Sequence, residues 1–192
     1  TRLITSHVIN AAPAIEDRQI QPASLDLRRG RKAYRLISSF LPELSAISSR
    51  LNVLDFYQSD LVMYEMDLTG GAILEKGHVY LVPLLESLKL PKTIRARANP
   101  KSTTGRLDVF TRVVTDLTAG FDEIRAGYHG PLFLEIVPRS FAIKVCTGQS
   151  LNQIRFVRGN AAVPDRDLLA LHRTTPLLYH NDPSRKAIGN QD

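Results

Sequence analysis

Lys101-Ser102-Thr103-Thr104-Gly105-Arg106 gathers two cations, three hydroxyls and a glycine in one short turn after Pro100. Hydroxyl and backbone N–H groups donate to phosphate oxygens, glycine permits close approach, and Lys and Arg supply charge. The segment reads as a phosphate cradle; a solvated Ser/Thr turn at a strand end is the plainer alternative. It has neither Walker A spacing nor GxGxxG, so neither of those nucleotide-binding mechanisms applies. The second chemically pointed residue is Glu135, the one carboxylate in the apolar run Leu132-Phe133-Leu134-Glu135-Ile136-Val137. A lone carboxylate in apolar surroundings loses solvation, which favours its protonated form and suits a general base. The alternative is a structural acid paired with an arginine such as Arg139 or Arg155.

Other chemistries find no support in the chain. Zinc nucleoside deaminases need His-x-Glu and Pro-Cys-x-x-Cys, and this sequence has one cysteine and no His-x-Glu. The histidines (His7, His78, His129, His172 and His180) show no ligand spacing, so no protein-held metal is expected. There is no Gly-x-Ser-x-Gly, and Ser102 has no identifiable base partner.

The elements that must position these residues are strands. Ser24-Leu25-Asp26-Leu27-Arg28-Arg29 alternates apolar and polar residues up to Gly30, the period of a half-buried strand. Asp26 there reads as an acid tying down a neighbouring loop. Ala33 to Leu51 has no clean period and is expected to be an irregular excursion or one short helix. Phe56 to Leu68 and Ala72 to Leu74 read as strands joined by a Thr69-Gly70-Gly71 hairpin. His78 to Glu86 is a strongly apolar strand in which Pro83 predicts an edge or a bulge. Ile94 to Ala98 alternates again and leads straight into the Lys101 turn, so a rigid sheet pre-positions that turn. Leu107 to Val114 is a further strand, Thr115 to Glu123 a loop, and Leu132 to Val137 the strand of Glu135. Phe141 to Cys146 and Ser150 to Val157 are expected to pair around Thr147-Gly148-Gln149. This rhythm of strands and turns predicts an all-β sandwich, roll or barrel. Residues 1–159 form that domain. Residues 160–192 read as a linker or docking tail, with a short helix near 164–172 capped by Asp165.

Composition sets the outer bounds. The 192 residues are 43% hydrophobic and 23% charged, enough for one domain with a substantial core. A net charge of +6 favours an anionic ligand, but the cations are scattered, and nucleic acid is not expected as a partner. No apolar run approaches the ~20 residues of a membrane span, and the start, Thr1-Arg2-Leu3-Ile4, has no signal-peptide core. Cys146 has no partner for an internal disulfide and reads as core packing, with a reducing cytoplasm as the simplest compartment. The missing initiator Met and the polar end point to a processed chain or a piece of a longer one.

Taken in order, these segments resemble the dCTP deaminase branch of the trimeric dUTPase superfamily. Ile20-Gln21-Pro22-Ala23-Ser24-Leu25-Asp26-Leu27-Arg28-Arg29-Gly30 is similar to the family's I-x-P-S-S-x-D-x-R-x-G strand. Leu85-Glu86-Ser87-Leu88-Lys89-Leu90-Pro91 resembles its L-E-x-V-x-L-P turn, and Lys101-Ser102-Thr103-Thr104-Gly105-Arg106 its R-S-S-x-x-R. Ala126-Gly127-Tyr128-His129-Gly130 with Leu134-Glu135 resembles its P-G-[WY]-x-G…L-E pair, and Val145-Cys146-Thr147-Gly148-Gln149 its closing R-P-G turn. The match covers residues 20–158.

The resemblance implies a dUTPase-like distorted jelly roll (β-clip) with few short helices. It also implies hydrolysis of the 4-amino group of dCTP to dUTP and ammonia. Glu135 would be the base, Ser102 and Arg106 would orient the water and ring, and Lys101, Ser102, Thr103 and Arg106 would face the phosphates. Thr115, Tyr128 and Gln149 would complete the substrate contacts. Magnesium would arrive on the triphosphate, zinc would have no role, and the sites would lie between subunits of a homotrimer. Three departures qualify this. Arg125 stands where the family has an Asp against the deoxyribose, with Asp122 or Glu123 as substitutes. Lys101 replaces an Arg and cannot form a bidentate fork. The tail from 160 does not resemble a phosphate-covering lid and reads as a linker toward a second such domain. A non-catalytic domain for nucleotide binding or assembly, and a dUTPase-type pyrophosphatase, stay open as alternatives.

Overall fold

The computed structural model describes residues 2–41, 60–116, 120–159, 163–176 and 178. It forms two units, Thr1–Gly159 and Asn160–Asp192. The first is all-β with a few short helices. Among the described residues, its largest sheet runs β4 (Val62–Asp67), β3 (Lys32–Leu36), β6 (Val79–Lys89), β10 (His129–Pro138) and β8 (Val109–Val114), with β1 (Ile9–Ala11) also on β6. A second sheet runs β2 (Leu25–Arg28), β12 (Ser150–Arg158), β7 (Ile94–Pro100) and β9 (Glu123–Ile124). A two-stranded ribbon joins β5 (Ala72–Leu74) to β11 (Ile143–Val145). Every pairing among the described residues is antiparallel.

The period-2 alternation of each strand decides which side chains meet. Leu132, Leu134 and Ile136 of β10 join Leu25 and Leu27 of β2, Ala96 and Ala98 of β7 and Ile154 of β12 in the main core. The opposite face of β10 carries Phe133 and Glu135. There Phe133 packs with Tyr34, Leu36, Leu81 and Val114 in a second, smaller cluster, with Phe40 and Phe121 against it. Glu135 stands opposite Leu81 on β6 and Arg112 on β8, so it belongs to this second face.

Among the described residues there are twelve strands where the sequence reading names nine, β1, β3 and β9 being additional, and several connections differ. Pro83 is not on an edge, since β6 lies between β3 and β10; it does sit at a bulge, where the β10 partners jump between Pro131 and Phe133. Gly30 crosses there: its N–H donates to the Pro83 carbonyl at 2.7 Å. A Cβ at position 30 would stand 2.7 Å from the same oxygen, so glycine is required. Thr69-Gly70-Gly71 is a turn but not a hairpin, because β4 pairs with β3 and β5 with β11. Nor do β11 and β12 pair with each other; β12 lies between β2 and β7. In both places a short glycine turn carries the chain from one sheet to another. Ala33 lies in strand β3, not in an irregular excursion, and the rest of that segment from 42, with 56–59 of the expected next strand, lies outside the described residues. Cys146 is only partly buried and sits beyond the end of β11, not in the core.

The second unit contains one described helix, Asp165–Thr174. Its N-cap is Pro164, and Asp165 lies in its first turn, favouring the helix by its charge and not as the cap. No described helix is long and apolar enough to cross a membrane.

Candidate functional site

The expected residues fall into two places on the first unit. Glu135 is 1% exposed and both its oxygens are occupied. Arg112 Nε donates to Oε1 at 2.6 Å and Ser39 Oγ to Oε2 at 2.7 Å, while Arg112 also donates to Ser39 through Nη2. The Arg112 guanidinium lies 3.5 Å from the centroid of the Phe121 ring and 5.2 Å from that of Phe110, so its second face is covered by aromatic quadrupoles. The pair is thus Glu135 with Arg112, and neither Arg139 nor Arg155 supplies the partner. Register explains it. Each of the two neighbouring strands carries one charge on this face, and the ladder sets them directly opposite. No hydrogen bond or ion pair joins Glu135 to Ser102 or Arg106.

The second place is a cleft of about 750 Å³ beside β2. Lys101, Gln149, Asp26, Arg28, Arg29 and Thr147 line it. Lys101 is the N-cap of the helical turn Ser102–Arg106, and its ammonium is ion-paired with Asp26 Oδ2. Asp26 therefore ties down the Lys101 turn, as its place in β2 predicts. Thr104 anchors the same turn, with Oγ1 donating to the Leu151 carbonyl at 2.8 Å. Ser102, Thr103 and Arg106 are exposed; Thr103 lines a smaller neighbouring cleft of about 140 Å³ that shares Arg29 and Gln149 with the first.

Two expected contacts lie elsewhere. Tyr128 is in the main core, with its hydroxyl donating to the Pro131 carbonyl at 2.6 Å, and burial raises its pKa far above the ordinary phenol value. Thr115 is buried just beyond the end of β8. So Lys101 and Gln149 share a cleft with Thr103 next to it, and Glu135 stands apart on the other face of the large sheet.

Around the cleft, Arg28 and Arg29 are answered very differently. Arg28 Nε donates to Glu86 Oε1 at 2.8 Å, its backbone N–H to Glu86 Oε2 at 2.7 Å, and Nη1 and Nη2 to the Ala14 and Pro13 carbonyls at 3.1 and 2.7 Å. Arg29 Nη2 donates only to Gln149 Oε1, at 2.5 Å. Its Nε and Nη1, Asp26 Oδ1 and Thr147 Oγ1 are buried without a partner. Burial lowers the Arg29 pKa to about 10, against a smaller opposing effect of Cys146.

Arg112, Ser39 and Arg29 were not singled out by the sequence. Arg112 had a signal: it is the single charge in Val109–Val114, as Glu135 is in Leu132–Val137. Arg29 had one too, because two successive arginines at a strand end must take opposite faces. Ser39 had none, lying in the unpatterned stretch after β3.

Comparison with known proteins places these observations in a family. Residues 1–160 match the model for the 2'-deoxycytidine 5'-triphosphate deaminase (DCD) N-terminal domain. The chain is 30% identical over 145 residues to a protein of Sulfurihydrogenibium sp. named "dCTP deaminase, dUMP-forming", covering 75% of this chain and 72% of that one. A Methanosphaera stadtmanae protein of the same name is 31% identical over 147 residues, covering 75% of this chain and 68% of its own length. Among solved structures, a 2'-deoxycytidine 5'-triphosphate deaminase from Agrobacterium tumefaciens is 48% identical with a TM-score of 0.78, over 95% of this chain. This chain spans 52% of that protein, about half its length.

Proposed function

Since the chain belongs to the 2'-deoxycytidine 5'-triphosphate deaminase N-terminal domain family, we propose that it is part of an enzyme that hydrolyses the 4-amino group of dCTP. The observation that carries this reading is the 48% identity to the Agrobacterium deaminase across nearly the whole chain. In this reading Glu135 takes a proton from a water as its oxygen bonds to cytosine C4. It returns that proton to the amine as the C4–N bond breaks and ammonia leaves. Such acid–base work is typically worth about 10²–10⁴ in rate. Ser39 is the more easily exchanged of the two Glu135 partners, because a neutral hydroxyl gives way to a water at lower cost than a charged guanidinium.

Ser102 and Arg106 make no contact with Glu135 within the chain. We place them against it from a second copy, as in the trimer the resemblance implies, or from a second domain of a longer protein. Lys101, Thr103 and Gln149 would take the triphosphate. Magnesium would enter as the metal–nucleotide substrate. It would be held through the triphosphate; no cluster of three His, Cys, Asp or Glu side chains occurs among the described residues.

Deamination itself yields dUTP. The relatives' names add a dUMP-forming step. Arg125 occupies the place of the acid that activates water in the dUTPase pattern, and on that ground dUTP is the proposed product. The test is ammonia release from dCTP with magnesium by the full-length protein, with chromatographic separation of dUTP from dUMP. Glu135→Gln is expected to lower the rate by at least about 10²; an unchanged rate removes Glu135 from the chemistry.

One observation favours a second reading: both Glu135 oxygens are already occupied. In that reading this domain keeps the fold for nucleotide binding or assembly. dCTP binding without turnover in the full-length protein would select it.

A further inference from the structure

The Gln149 side chain is oriented by two donors on one oxygen. Arg29 Nη2 reaches Oε1 at 2.5 Å and the Cys146 backbone N–H reaches it at 3.1 Å. Two donors identify that atom as the carbonyl oxygen of the amide. The end that Gln149, exposed at the cleft, has left to offer is its NH2 group. The backbone reinforces the arrangement: Arg29 N–H donates to the Gln149 carbonyl at 3.1 Å, and Gly148 N–H to the Arg29 carbonyl at 2.9 Å. Gly148 sits at φ +80°, a conformation glycine takes without strain, and so closes the turn tightly over Arg29.

Arg29 is also the cation of the cleft without a carboxylate. Arg28 is bound to Glu86, Arg18 to Glu16 and Lys101 to Asp26. Arg29 is 1% exposed, forms no ion pair among the described residues, and leaves two guanidinium nitrogens unpartnered there. A buried charge without a counter-charge is costly, and an anion in the adjoining space lowers that cost. Both clefts that meet at Arg29 and Gln149 border the Lys101 turn.

We propose that Arg29 is a positioning residue for phosphate recognition: it holds the oxygen of Gln149 so that the amide N–H donors, beside Lys101, meet the phosphate oxygens of a nucleoside triphosphate. It also supplies the uncompensated charge that the incoming anion neutralises. This inference rests on the dCTP reading above, and it assigns the triphosphate's grip to a residue at an unspecified (x) position of the I-x-P-S-S-x-D-x-R-x-G motif.

The experiment uses the full-length protein and inorganic tripolyphosphate as probe, with affinities measured by calorimetry at low salt for wild type, Arg29→Met, Gln149→Ala and the double variant. Arg29→Met is expected to weaken binding about tenfold or more, as loss of a charge-assisted contact does. Gln149→Ala is expected to weaken it several-fold in the wild-type background and not at all beside Arg29→Met. A merely structural Arg29 would not produce that coupling. For dCTP, Arg29→Met should raise KM and leave kcat unchanged. Wild-type affinity in Arg29→Met, independent losses in the double variant, or no tripolyphosphate binding by the wild type would each overturn the inference. If Arg29→Met does not fold, Arg29→Lys answers the question. It keeps the charge but loses the fixed fork on Gln149, so a several-fold loss is expected and wild-type affinity overturns the proposal. Ammonia release in the same preparations separates the two failures. Turnover of dCTP with affinity independent of Arg29 sinks this inference alone. Arg29-dependent tripolyphosphate binding without turnover sinks the deaminase reading alone.

Discussion

Arg112 and Arg29 stand against the two sheets of one domain, and their surroundings answer them in opposite ways. Around Arg112 the polar groups close on one another. Glu135 takes its Nε, Ser39 bridges the two, and Phe121 and Phe110 cover the guanidinium. Around Arg29 they do not close: two guanidinium nitrogens, Thr147 Oγ1 and Asp26 Oδ1 lack partners. A buried polar network that is complete within the chain is satisfied without a ligand. One that is incomplete costs stability, and it is where a ligand has most to contribute. The residue pair Arg28 and Arg29 repeats the contrast at adjacent positions, which makes it open to direct measurement.

The largest expected effect is on the closed side. Arg28→Met leaves Glu86 buried at 1% exposure without its cation and frees the Pro13 and Ala14 carbonyls. Breaking a buried pair in this way costs about 3–5 kcal/mol, and denaturant unfolding should show it. A loss below about 1 kcal/mol would break the comparison at its root, since Arg28 would then be no better satisfied in energy than Arg29. Arg112→Met comes next, at about 2–3 kcal/mol, because Glu135 loses its cation but the Arg112 side chain is 22% exposed and the site more readily admits water. Arg29→Met should be the reverse case. Removing a buried charge that has no partner is expected to leave stability unchanged or raise it by about 1–2 kcal/mol, read by the same unfolding curves. If Arg29→Met destabilises as much as Arg28→Met, the open cleft is a structural knot and not a place prepared for an anion.

The sequence exposes one side of this comparison better than the other. Alternation in Ser24–Arg29 and in Ile94–Ala98 places β2 and β7, and the Lys101 turn follows β7 as expected. The same pattern leaves pairing undetermined, because period 2 assigns faces and not neighbours. That is why Thr69-Gly70-Gly71 looks like a hairpin while its two strands belong to different sheets. Glu135 is legible as a lone acid in an apolar run. Its partner is not, since Arg112 comes opposite only through the β8–β10 register, 23 residues away in sequence. Ser39 lies beyond the end of β3, where no periodicity says which way a side chain turns, and for Arg29 alternation gives a face but not a partner. The cleft is built from such ends: β2, the Lys101 turn and the Thr147–Ser150 turn meet only in the folded chain.

The closed side has one loose thread, and pulling it sharpens the comparison. Asp122 adjoins Phe121 and its Oδ1 accepts the Val113 N–H at 2.7 Å, while its backbone sits at φ +61°. Burial raises its pKa from an ordinary 3.8 to about 6, opposed by that Val113 N–H and by the charge of Arg112. Because the folded value is the higher one, the folded state holds the proton more tightly than the unfolded chain. The Asp122 contribution to stability is therefore fully present below about pH 4 and is lost as pH rises through about 6, where the half-buried carboxylate must carry its charge. Asp122→Asn keeps the acceptor for Val113 and tolerates the left-handed backbone, but it has no charge to bury. The variant should match the wild type near pH 4 and exceed it at pH 7 by on the order of 1 kcal/mol, once solvent screening of a partly exposed group is allowed for. Melting temperatures of the two proteins across that range decide the matter. A gap that opens with pH makes Asp122 the one member of this region still open to solvent control. A gap that stays constant assigns the effect to packing and leaves the Glu135–Arg112 side fully closed.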